Sequence, residues 1–194
     1  FKRLAEHEQH NLRQMLTHNP PDHVEAVAIM LRQARHIVIV GEGYAETVAE
    51  LVAQQFRHRG VSAEAVSDDP VKKAATLMNL PPHTLVIGVS ATEYGAAVAR
   101  ALQFARTKGA TTLGVVGSLA SPVNRMSDRV VFAPTSASGP LPSIVGLTAA
   151  LAALVQIASD GSPAAVEKHL AAFTQAYQFL IQPEGDTASE ESPA

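Results

Sequence analysis

Five short apolar runs, rich in β-branched residues, recur along the chain at 37–40, 61–66, 85–89, 111–116 and 130–132, and helical patterns separate them. Runs that are apolar at nearly every position, rather than at alternate ones, suit strands covered on both faces. Between the first two, Ala45, Val48, Ala49, Val52 and Phe56 keep i, i+3, i+4 spacing, and Val98, Leu102 and Ala105 do so between the third and fourth. Gly60 and Gly109 follow these helices, where a left-handed terminal residue is wanted. The alternation predicts an α/β fold: a doubly wound five-stranded parallel sheet with right-handed crossovers and flanking helices at both termini.

Leu12, Met15 and Leu16 give one apolar stripe before this body, Asn19-Pro20-Pro21 ends that helix, and Val24, Val27, Ala28 and Leu31 form a second stripe. Ser162-Pro163 opens a C-terminal helix with Val166, Leu170, Phe173 and Tyr177 on one face, a packing or dimer surface. The expected organisation is a linker of helices at 1–34, an α/β body with its C-terminal helix at 35–181, and a disordered acidic tail at 182–194. The net charge is −3, but four acids lie in the last eleven residues, so the folded body is nearly neutral. Such a body is ill suited to gripping a nucleic-acid backbone. With no cysteine, disulfides, thiolate catalysis and cysteine-bound zinc are excluded, and a cytoplasmic location is expected. The apolar run 144–158 is interrupted and short of the roughly 20 residues a membrane span needs, so no membrane partner is expected. Because the chain begins at Phe1 rather than methionine, an upstream domain is expected to be missing.

Ligands of open parallel sheets bind beyond the carboxyl ends of the strands, near the point where strand order reverses. The segments expected there are rich in glycine and hydroxyls, and supply the candidate ligand-binding residues Gly41, Gly43, Tyr44, Thr47, Ser90, Thr92, Glu93, Tyr94, Ser118, Ser136 and Ser138. Their backbone N–H groups and hydroxyls can receive an anion or a sugar; equally, such residues serve as turn and N-cap residues. Tyr44 and Tyr94 either stack on a ligand or cover the pocket. Gly41-x-Gly43, with Asp68 after the second strand, is a fragment of a dinucleotide fingerprint, too short to carry a nicotinamide cofactor. No cofactor and no metal are expected: His7-x-x-His10 places two imidazoles on one helix face without a third ligand.

The order Arg35-His36-Ile37-Val38-Ile39-Val40-Gly41-Glu42-Gly43, Val86-Ile87-Gly88-Val89-Ser90, Ala105-x-x-Lys108-Gly109-Ala110 and Val116-Gly117-Ser118-x-x-Ser121-Pro122 resembles the SIS (sugar isomerase) domain over about residues 35–158. Glu8-x-x-Asn11-Leu12 is similar to the segment that joins SIS to the helix-turn-helix domain in MurR/RpiR transcription regulators. The resemblance implies a flavodoxin-like sheet, a homodimer, and a small-molecule effector, a sugar or sugar phosphate, held at the loops named above. DNA would be bound only through the missing N-terminal domain. The chain departs from the family pattern at Ala45, where a serine is usual, and in Ser90-Ala91-Thr92-Glu93-Tyr94-Gly95, where S-x-S-G-x-T is usual. A carboxylate at Glu93 opposes a phosphate, so weak binding of sugar phosphates is expected, and Glu93→Gly with Gly95→Thr is expected to restore it.

Aldose–ketose isomerases move a proton with a carboxylate or histidine, and related enzymes often carry a glutamate after the fifth strand. Residues 134–143 contain neither an acid nor a histidine. Glu42, Glu46 and Glu93 are candidate bases, but acids also favour helix starts through the dipole. The function expected is therefore effector binding and dimerisation in an RpiR-type regulator of sugar metabolism, with a phosphosugar isomerase or related carbohydrate enzyme as the alternative.

Overall fold

The computed structural model describes residues 1–159 and 163–181. Two helices, α1 (Lys2–His18) and α2 (Pro21–Gln33), precede β1 (His36–Gly41), α3 (Tyr44–His58), β2 (Ala63–Val66), α4 (Pro70–Met78) and β3 (Thr84–Ser90). Then follow α5 (Ala96–Thr107), β4 (Thr111–Val116), α6 (Pro122–Met126), β5 (Arg129–Phe132), α7 (Val145–Ser159) and α8 (Pro163–Ile181). All five strands are parallel in the order β2-β1-β3-β4-β5. The five expected strands are present, with β2 starting two residues later than the apolar run at 61–66.

Successive strand residues face opposite sides of a sheet, so one apolar run feeds two cores. Ile37, Ile39, Leu85, Ile87, Val89, Leu113 and Val115 pack with α2, α3 and α7 on one side. Val38, Val40, Val66, Val86 and Val116 pack with α4, α5 and α6 on the other. Strand order reverses about β1, which pairs with β2 on one edge and with β3 on the other, and the chain then winds outward through β4 to β5.

β5 ends the sheet, and its outward backbone groups are met by side chains of the N-terminal helices. Asn19 Nδ2 donates to Phe132 O at 2.7 Å, Phe132 N donates to Asn19 Oδ1 at 3.0 Å, and a His23 ring nitrogen lies 2.7 Å from Val130 O. The asparagine that stops α1 thus takes the place of a sixth strand for one residue of β5. At the other end, α8 has no buried residue. It touches the body through Phe173, 4.6 Å from the His58 ring, and its Leu170, Tyr177, Phe179 and Leu180 are exposed. The expected tail, 182–194, lies outside the described residues. Among those described, no single helix is long and apolar enough to cross a membrane.

Candidate ligand site

A parallel sheet brings the loops after β1, β3, β4 and β5 to one edge, and the structure ties three of them together. Gly117 N donates to Ser90 O at 2.8 Å, and Thr135 Oγ1 donates to Ala91 O at 2.6 Å. Ser121 Oγ donates to Ser90 Oγ at 3.2 Å, and Ser90 Oγ in turn donates to Thr92 O at 2.9 Å. Ser90 and Ser121 are both buried, so their hydroxyls hold the loop after β3 in shape. Thr92 Oγ1 accepts from Tyr94 N, and Ser118 Oγ accepts from Ala120 N, both at 3.3 Å. Sequence places Ser121 and Thr135 in the loops at this edge but not among the candidate ligand residues; their bonds to Ser90 and Ala91 join separate loops.

Gly95 opens α5, and a Cβ there would sit 2.5 Å from Ser90 Oγ and 2.8 Å from Ser121 Oγ. This corrects the expectation that Gly95→Thr restores a phosphate loop, because the space a threonine needs is filled by those two serines. Glu93 is exposed, as are Tyr44, Tyr94 and Thr47. Gly41 is buried and Gly43 is exposed in the left-handed region at φ 55°.

In the loop after β5, Ser138 is exposed, whereas Ser136 is engaged by α1. Ser136 Oγ donates to Asn11 Oδ1 at 2.7 Å, Asn11 Nδ2 donates to Ser136 O at 2.8 Å, and His7 Nε2 lies 3.2 Å from Ser136 Oγ. Asn11 is 1% exposed. A buried amide on a surface helix is costly unless its donors and acceptor are satisfied, and here the loop satisfies them. The candidate residues therefore divide. Ser90 and Thr92 belong to the hydrogen-bonded end of β3 and the loop after it, Ser136 belongs to the contact with α1, and the tyrosines are exposed.

Glu42 follows β1 and is half-buried. Burial, and then the Asp68 carboxylate, hold its carboxyl above the ordinary 4.5, while Lys73 and Arg100 pull it back down. Lys73 and Arg100 are charged groups that sequence reasoning missed. The available signal was Asp69-Pro70 directly after β2: Asp69 Oδ1 caps α4 by accepting from Lys72 N at 2.8 Å, which turns Lys73 to the start of a helix beside the sheet edge. Among the described residues no three His, Asp or Glu side chains gather to hold a metal ion.

An open parallel sheet with α2, α3 and α7 on one face, α4, α5 and α6 on the other, and serine-rich loops joined at its carboxyl edge defines a doubly wound α/β domain. The pattern of the SIS domain matches residues 30–159, and the chain belongs to the SIS domain family. It is 29% identical over 108 residues to an uncharacterized HTH-type transcriptional regulator of Haemophilus influenzae, an alignment that takes in 56% of this chain. That alignment spans 37% of the regulator, little more than a third of its length. The sugar isomerase domain of an RpiR transcription factor from Sphaerobacter thermophilus superposes with a TM-score of 0.83 at 28% identity, covering 89% of this chain and 97% of that one. The NanR protein of Vibrio vulnificus, complexed with ManNAc-6P, superposes with a TM-score of 0.80 over 94% of this chain and 70% of that one. At 18% identity that second likeness is one of fold. The relatives at 28 and 29% identity are transcription regulators.

Proposed function

We propose that the chain is the effector-binding domain of an RpiR-type transcription regulator, and that its effector is a carbohydrate derivative bound at the loops after β1, β3, β4 and β5. The observation that carries this reading is the 28% identity, over nearly the whole of both chains, to the sugar isomerase domain of an RpiR transcription factor. The loop after β5 supports binding without turnover: residues 134–143 offer serines, a threonine and prolines but no group to move a proton at a sugar carbon. In this reading the domain is cytoplasmic, and DNA contact falls to an upstream domain that controls genes of sugar metabolism. The Asn11–Ser136 pair gives the loop a physical handle on α1, the helix that would face that domain.

Titration of the chain with ManNAc-6P, glucose 6-phosphate and their unphosphorylated sugars, followed by amide chemical shifts, tests the site. Shifts are expected at 41–47, 90–95 and 117–121. Glu93→Gly is expected to tighten the phosphorylated ligands about tenfold, which is ~1.4 kcal/mol, and to leave the neutral sugars unchanged. If no sugar moves those loops, the reading fails.

The same reading makes the domain a homodimer. A 19-residue helix with no buried residue and exposed Phe179, Leu180 and Ile181 leaves apolar surface that a second copy would cover. Light scattering at micromolar concentration is expected to give twice the chain mass of 20.4 kDa, and Phe179→Asp with Leu180→Asp to give the monomer. A monomeric mass for the unaltered chain would count against the dimer.

A further inference from the structure

A groove of about 450 Å³ lies between α4 and α5, on the sheet face opposite α3 and α7. None of the candidate ligand residues lines it. Its floor is apolar, made by Ala74 and Leu77 of α4 and Ala101 and Phe104 of α5, and its charged lining includes Lys73 and Arg100. The volume is in the range of small-molecule sites, about 300–1,000 Å³.

The two cations differ in what they have left to give. Lys73 Nζ lies 2.6 Å from Asp68 Oδ1, and its side chain is only 11% exposed, so it is held and largely neutralised. Arg100 forms no ion pair among the described residues, though it is near enough to Glu42 to lower that carboxyl. A guanidinium presents a planar fork of donors that matches a carboxylate or phosphate. Around it stand Asp68 and Glu42, two carboxylates that repel a dianion more than a monoanion. Lys108 Nζ, 5.4 Å from the centre of the Phe104 ring, adds positive charge near the Phe104 end of the groove. The hydroxyl of Ser67, the residue before Asp68, is buried without a hydrogen-bond partner among the described residues.

We propose that the groove between α4 and α5 is a second small-molecule site, selective for an organic monocarboxylate whose compact apolar body lies on Leu77 and Phe104 and whose carboxylate is held by Arg100. A phosphate dianion is disfavoured by Asp68 and Glu42, and a polyol finds too few hydrogen-bond partners on the floor. The site is independent of sugar binding at the sheet edge. It meets that edge through Asp68, in the loop after β2, and Glu42, in the loop after β1, feels the charges of Asp68, Lys73 and Arg100 without lining the groove.

The test uses the 194-residue chain, with 3-phenylpropionate as probe and 3-phenylpropan-1-ol and inorganic phosphate as comparisons, followed by amide chemical shifts. The carboxylate is expected to move signals of residues 73–77 and 97–104 and to saturate. The alcohol is expected to bind at least about tenfold more weakly, the loss of one charge-assisted interaction, and phosphate is expected not to displace the probe. Arg100→Gln is expected to weaken the carboxylate about tenfold and leave the alcohol unchanged. Ala74→Leu, at an exposed position, is expected to fill the groove and weaken both. Equal affinity for acid and alcohol, no effect of Arg100→Gln, or shifts confined to residues 90–95 would each overturn the proposal. Sugar binding is read at separate signals, so either site can fail without the other.

Discussion

Gly41→Ala is expected to cost about 2–3 kcal/mol of stability, at the upper end for overpacking, and to lower the melting temperature by roughly 6–10 °C for a chain of this size. A Cβ at this position would lie 2.6 Å from the carbonyl carbon and oxygen of Ala45 and 2.8 Å from Glu46 N. All three are backbone atoms of the first turn of α3, so no side chain can swing away to relieve the contact. Gly43 makes the useful comparison. Nothing lies within 4 Å of a Cβ there, so Gly43→Ala meets no clash, and its cost of about 1–2 kcal/mol is the backbone strain of a side chain at φ 55° and ψ −125°, where glycine sits readily. Thermal melts of the two variants separate the roles: Gly41 sets how closely α3 docks on β1, and Gly43 sets the shape of the exposed turn. If Gly41→Ala melts with the unaltered chain and loses only ligand affinity, Gly41 serves the ligand and not the fold.

Asn11→Asp is expected to cost about 3 kcal/mol at neutral pH, comparable to breaking a buried charged pair. Nδ2 of Asn11 faces two acceptors, Ser136 O at 2.8 Å and Glu8 Oε2 at 3.2 Å. An aspartate oxygen in its place meets both as a buried, unpaired charge beside another carboxylate. Burial and the Glu8 charge would raise the folded-state pKa of the new carboxyl above its unfolded value of about 3.9. The folded state then binds the proton more tightly, so stability falls as pH rises above about 4 and is regained on acidification. Melting curves of the variant and the unaltered chain are therefore expected to converge toward pH 4 and to diverge toward pH 7. A constant gap across that range would mean that shape, and not charge, governs the site.

Much of the fold is legible in the sequence because a parallel sheet writes itself in a way composition cannot hide. Ile37 and Val38 go to opposite cores, and both must be apolar. The position of the loops follows from the same fact, since every strand points the same way and every strand–helix turn meets one edge. What the loops do with their hydroxyls is not legible. Ser90, Ser121 and Ser136 are alike as residue types, but the first two hold one another and the third bonds a residue 125 positions away. Asn11 reads as a polar residue on a helix face, and only packing shows it to be buried. α4 carries a weak signal because only Leu77 of its nine residues is buried, so the groove beside it and the part played by Lys73 and Arg100 emerge only from the folded chain.

The side chains that finish β5 bear on where this domain can be cut. The SIS pattern begins at residue 30, but Asn19 and His23 occupy the hydrogen-bonding groups of Phe132 and Val130, and Val27 is wholly buried in the main core. A protein trimmed to the start of the pattern would keep every strand and lose the cover on the last one. A bare edge is a template on which another chain can add a strand. Insoluble expression of such a fragment would then report an open sheet edge together with a core that has lost Val27. The unit that folds cleanly starts upstream of the unit that sequence comparison recognises.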